Sequence, residues 1–152
     1  MKHFLALILA LTPTLVMSHD YTIGGLKIDH PVVRATTPTA RTSAGYMTIE
    51  NMGDAADMLL AVEADFPRVE LHTTTVTDGV ASMQKLDGVE IPVGATVTFE
   101  QGGLHVMIMG VTTQLIEGDT VPAVLVFENA GRIDVDFNVE QIDGSGHGHM
   151  NH

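Results

Sequence analysis

Two histidines and two methionines stand at spacings that could close on one metal ion. His72 is followed by ten residues and then Met83; twenty-one residues separate Met83 from His105, and Val106 alone separates His105 from Met107. Thioether sulfur is a soft donor, and a mixed thioether/imidazole set favours Cu(I) over Zn(II), Mg(II) or Ca(II). Taken singly, each residue has an ordinary reading. A methionine in a strand is usually core filler, and a lone histidine at a strand end usually lies on the surface. The joint spacing is what makes His72, Met83, His105 and Met107 the candidate Cu(I) ligands. Imidazole must be neutral to bind, so affinity should fall in acid, whereas the thioethers bring no such dependence.

Short strands must position these residues. Arg68–Thr74 and Val80–Lys85 flank Asp78-Gly79, a strong hairpin signal. A two-residue loop there pairs His72 with Lys85 and Met83 with Thr74; a four-residue loop would set His72 opposite Met83. Side chains alternate faces with period two, so either register leaves His72 and Met83 on one face. His105 and Met107 share a face of Leu104–Met109. Met109 continues that face, so one of Met107 and Met109 could serve packing instead. Gly102-Gly103 ahead of His105 reads as a sharp turn.

The remaining chain shows the same short apolar runs, at Tyr21–Ile28, Val32–Ala35, Ala44–Glu50, Asp57–Ala64, Thr96–Glu100, Ala123–Glu128 and Arg132–Glu140. Turn residues punctuate them and no long helical periodicity interrupts them. The expected architecture is all-β, an antiparallel sandwich or barrel. The last two runs read as a hairpin with Val124, Val126, Ile133, Val135 and Phe137 as core candidates. Tyr46, Met47 and Met58 read as packing.

The His-x10-Met-x21-His-x-Met spacing resembles that of the periplasmic copper chaperone family often called PCuAC. So do Arg68-Val69-Glu70-Leu71-His72, Gly102-Gly103-Leu104-His105-Val106-Met107 and Glu117-Gly118-Asp119-Thr120-Val121-Pro122. Arg34-Ala35-Thr36-Thr37-Pro38 followed by Ala44-Gly45-Tyr46-Met47 extends the likeness, which runs from about Ile28 to Val139. Departures are Val32-Val33 where the family usually carries an aromatic, Ala81 where it often has a second Met, and Gln101 in place of a common Pro. The resemblance implies a cupredoxin-like Greek-key fold. It implies a carrier, not an enzyme, that takes Cu(I) toward the copper centre of cytochrome c oxidase. The recipient so implied is a copper-accepting oxidase subunit or a thiol-bearing assembly factor.

Residues 1–18 have a positive head, an apolar run and a small residue at Ser18, the form of a secretory signal peptide. Export to the periplasm is therefore expected, leaving a domain over 19–142 and no membrane anchor after cleavage. The absence of cysteine fits an oxidising compartment. It also excludes a blue-copper electron-transfer site, which requires a thiolate. Cleavage at Ser18 would leave His19 as an N-terminal chelator for Cu(II). The tail, 143–152, is Gly-rich and carries His147, His149, Met150 and His152, an expected auxiliary Cu(II) site. A formal net charge of −12 argues against nucleic acid or anionic lipid as partner. Copper storage or resistance outside the cytoplasm, and a structural β-sandwich without metal, are the competing readings.

Overall fold

A computed structural model describes residues 20–143. The expected leader, His19 and the tail ligands His147, His149, Met150 and His152 lie outside the described residues. The chain forms strands β1 (Tyr21–Ile23), β2 (Leu26–Arg34), β3 (Thr42–Asn51), β4 (Asp57–Ala64), β5 (Arg68–Thr77) and β6 (Val80–Leu86). These are followed by β7 (Val89–Ile91), β8 (Thr96–Phe99), β9 (Leu104–Met109), β10 (Thr120–Phe127) and β11 (Gly131–Glu140). No helix occurs among the described residues.

Period-two burial drives the assembly. Along β3, Ser43, Gly45, Met47, Ile49 and Asn51 are buried while their neighbours are half-buried or exposed. Inward residues from the other strands, including Leu26, Ile28, Leu59, Leu71, Phe99, Val106, Leu125 and Phe137, complete one core. The sheet runs β6-β5-β9-β8-β3-β2-β11-β10-β4-β7, with β1 on β2 and a further β9–β3 pairing, and curls into a barrel around that core. Pairing is antiparallel except for β2 with β11 and a single β8–β9 position. The close passage of β3 over the core needs a small residue. A Cβ on Gly45 would lie 3.3 Å from both Val106 Cβ and Phe137 Cε1.

Three expectations change. The run Tyr21–Ile28 is not one strand but a hairpin turning at Gly24-Gly25, both at positive φ and joined as Ile23↔Leu26. This is the left-handed conformation that glycine adopts without strain. The run then continues through a bulge at His30 and Pro31 into the residues expected as a separate strand from Val32. On β10 the core face is Ala123, Leu125 and Phe127, while Val124 and Val126 are half-buried on the other side. Both faces of β10 are apolar, so alternation alone could not choose. The register decides, since Val124 and Val126 pair with Asp134 and Arg132. Val89–Ile91, too short to stand out, adds a strand against β4.

Candidate metal centre

The β5–β6 hairpin closes with Asp78 at φ 52° and Gly79 at φ 76°. Two successive positive φ values are what the twist-matched two-residue turn demands, and Asp-Gly supplies them at low cost. The register follows: His72 opposes Lys85 and Thr74 opposes Met83. On its other edge β5 pairs with β9, and there His72 stands directly opposite His105. Met107 in turn lies beside Glu70 on β5 and Ala44 on β3. All four candidate ligands thus share the outward face, while Leu71, Val106 and Ile108 on the opposite face anchor β5 and β9 in the core.

The two imidazole rings are 5.8 Å apart between centroids and inclined by 53°. An ion bound at about 2.0 Å sits roughly 3.2 Å from each ring centre, so two rings sharing it span roughly 5.2 Å in tetrahedral and 6.4 Å in linear geometry. The observed separation lies between these limits. Hydrogen bonds assign the free nitrogens. His105 Nδ1 donates to the Gly103 carbonyl at 2.9 Å, which leaves Nε2 with its lone pair. His72 Nε2 donates to Glu70 Oε2 at 2.8 Å. His72 Nδ1 is then an unprotonated nitrogen, shielded from solvent and without a hydrogen-bond partner. An orphaned buried acceptor is costly in water-free surroundings, and a desolvated cation would satisfy it.

Met83, His105 and Met107 line one open groove of about 250 Å³ together with Arg34, Tyr46, Thr74 and Gly102. Met83 is 59% exposed, although a thioether gains by burial, whereas Met47 on the core side of β3 is 2% exposed. Packing therefore accounts for Met47 and leaves Met83 unexplained. Met109 takes the other option left open by the sequence: its sulfur accepts from Arg68 Nη2 at 3.2 Å, away from the groove. Half-burial beside the groove pushes the Tyr46 hydroxyl above its ordinary pKa, against an opposing pull from Arg34. Both residues belong to this site as much as to packing.

Glu70 carried no role in the sequence reading, yet it sits at the centre of the site's polar network. Besides His72, its carboxylate meets Arg68 Nε at 3.2 Å and Lys85 Nζ at 3.6 Å. The His72 hydrogen bond, then the Lys85 and Arg68 charges, hold its carboxyl below the usual carboxylate range against the cost of partial burial. A carboxylate on the far nitrogen of a ligating histidine fixes its tautomer and raises its basicity. The sequence signal was available: Glu-x-His in a strand puts both residues on one face. The Gly103 carbonyl was equally hidden. It accepts both His105 Nδ1–H and the Thr74 amide at 3.1 Å, which ties the Gly102 turn, at φ +82°, to both ligand strands.

Among the described residues, no group of three or more His, Cys, Asp and Glu side chains is arranged to hold a metal. The further candidate donors on this face are the thioethers, which are soft.

Comparison with known proteins points the same way. Residues 26–139 match the family model described as “Putative lipoprotein LpqE-like”. The protein Lxx21020 of Leifsonia xyli subsp. xyli, which carries the same lipoprotein description, is 27% identical over 105 residues. The match takes in 68% of this chain and 63% of that curated relative, so the chain spans less than two thirds of it. Among solved structures, the copper-bound PCuAC domain from PmoF2 is similar with TM-score 0.69 and 31% identity, over 82% of this chain and 99% of that one. The Cu(I) form of DR1885 from Deinococcus radiodurans is similar with TM-score 0.65 and 29% identity, over 83% and 84%. At these identities the likeness supports a cupredoxin-like barrel.

Proposed function

Because the chain belongs to the LpqE-like family, and is similar to PCuAC domains with copper bound, we propose that it is a copper carrier of the cell envelope. Cu(I) is the cargo, and His72, Met83, His105 and Met107 are its ligands. The observation that carries this reading is the cross-strand pair of His72 and His105, each with one nitrogen free, of which His105 shares a groove with the two outward-facing thioethers while His72 does not line it.

The donor set suits transport rather than storage. Two imidazoles and two thioethers are all neutral, so a bound ion keeps its single positive charge and no thiolate traps it. Glu70 and the Gly103 carbonyl hold the rings ready, so little reorganisation is needed on loading. Met83, on the exposed edge strand, can be replaced by an incoming ligand while the histidines hold on. Delivery would be toward the copper centre of cytochrome c oxidase, through a copper-accepting oxidase subunit or a thiol-bearing assembly factor. Export through residues 1–18 to the periplasm, and an auxiliary Cu(II) site on His147, His149, Met150 and His152, complete the proposal. The domain would span 19–142.

X-ray absorption on the Cu(I)-loaded protein tests the core site by counting sulfur and nitrogen neighbours. Two of each is expected; oxygen and nitrogen neighbours only would refute it. Truncation after Ile142 tests the tail: unchanged Cu(II) stoichiometry would remove its role.

A further inference from the structure

The chain holds seven Lys and Arg against nineteen Asp and Glu. Four of those seven border the ligand-bearing face. Arg68 and Lys85 project from β5 and β6 beside His72, with side chains 65% and 61% exposed. Arg41 is exposed just ahead of Thr42, the residue opposite Met109. Arg34 lines the groove itself. Outward positions of Arg68–Val76, Ala81–Lys85, Thr42–Tyr46 and His105–Met109 include a single carboxylate, Glu70, and two of the cations share it with His72. Among the described residues Arg34 and Arg41 have no ion-pair partner; Nε and Nη2 of Arg34 are shielded from solvent and have no hydrogen-bond partner. Glu140, across the β2–β11 pairing from Arg34, is engaged by His30 at 3.4 Å. Two further carboxylates stand nearby in the chain, Asp78 in the hairpin turn and Glu100 two residues ahead of Gly102.

Inside this basic rim lies apolar surface. Val76 and Met83 are 67% and 59% exposed on the same side of the hairpin, with Ala81 between them opposite Val76. Exposed apolar side chains rimmed by charge mark contact surfaces. A positive rim on a chain of net charge −12 is the reverse of what random placement of charges would give.

We infer that this face docks an acidic protein surface, Met83 and Val76 meeting its apolar centre while Arg41, Arg68 and Lys85 meet its carboxylates. Only the identification of that partner as the copper acceptor rests on the carrier reading. The same arrangement explains how two exported proteins, one strongly acidic overall, approach through the side that carries the cargo. Opposite potentials orient the encounter and repulsion elsewhere rejects wrong approaches.

The test uses the copper-free full chain and a defined probe. Amide chemical shifts are followed during titration with hexaglutamate at low salt, with hexalysine as control. Saturable shifts are expected at Thr42–Tyr46, Arg68–Thr74 and Lys85, fading as salt is raised. Arg41→Glu should weaken hexaglutamate binding roughly fivefold, since a reversed rim charge acts directly on the encounter. Arg132→Glu makes the same change in net charge about 26 Å along β11 from Glu140 and should leave binding unaltered. Equal weakening by both variants would reduce the effect to net charge and overturn the inference. So would a preference of hexalysine for this face, or shifts spread evenly over the barrel. Shifts on this face that depend on protein concentration without peptide would make a second copy the occupant, and overturn it too. Copper is absent throughout, so a failure here and a failure of the X-ray absorption test are independent.

Discussion

Replacing Glu70 should weaken copper binding without disturbing the barrel. Glu70 lies on the outward face between half-buried Val69 and core residue Leu71, so Glu70→Ala removes no core contact. What it removes is the acceptor 2.8 Å from His72 Nε2. The ring then exchanges freely between tautomers and rotamers, and the population with Nδ1 unprotonated falls. Loss of such a carboxylate behind a ligating histidine costs about tenfold to a hundredfold in metal affinity; the lower end is expected here, because the pair is partly open to solvent screening. Glu70→Gln keeps an acceptor but loses the charge, and should lie between wild type and Glu70→Ala. Competition against a Cu(I) chelator at neutral pH gives the affinities. Long-range nitrogen–proton correlation spectra of the copper-free protein give the tautomer of His72. Wild-type affinity in Glu70→Ala, or a His72 ring protonated on Nδ1 in the wild type, would refute the argument. The Glu70 carboxyl titrates below its ordinary value of 4.5, so its contribution to folding is fully present above that pH and is lost as the pH falls through the lower folded value.

Other outcomes follow from single features. Met83→Ala and Met107→Ala should each lower Cu(I) affinity in chelator competition while the thermal midpoint changes by no more than a few degrees; unchanged affinity in both would make the sulfurs packing only. Asp57→Ala should destabilise the barrel by about 3 kcal/mol in urea titration, since hydrogen bonds to a charged group contribute roughly 1.5–3 kcal/mol each and are not additive. Its buried carboxylate accepts the amides of Met58 at 2.8 Å, Asn129 at 2.9 Å and Ala130 at 2.8 Å, remote from the metal face. Gly45→Val would crowd Val106 and Phe137. A cost of about 1–3 kcal/mol from overpacking is expected, together with weakened copper binding, because Val106 links His105 to Met107.

The barrel and the ligand face were largely legible in the sequence because each rests on local rules. Asp78-Gly79 marked the hairpin but left a two-residue and a four-residue loop open; the structure takes the two-residue turn, which pairs His72 with Lys85 and Met83 with Thr74. Period-two alternation then placed the ligands on one side. Long-range pairing was another matter. That His72 would face His105 across β5 and β9 depends on two non-consecutive strands becoming neighbours, which no local signal encodes. The core face of β10 depended in the same way on its partner, and Gly24-Gly25 was overlooked as a turn because the run around it is otherwise strand-like. Glu70 was missed for a chemical reason: metal-ligand spacing highlights donors to the ion, not the group that orients a donor.

Among the described residues, β6 is hydrogen-bonded along one side only, to β5. Six of its seven residues are exposed. His72, His105 and Met107, by contrast, sit on strands clamped from both edges over most of their length. The backbone carrying Met83 can therefore peel back while the other three candidate donors stay in place, making it the hinged member of the proposed set. Amide exchange should be fastest in Val80–Lys85, and copper should leave from that side, with departure of Met83 as its opening event.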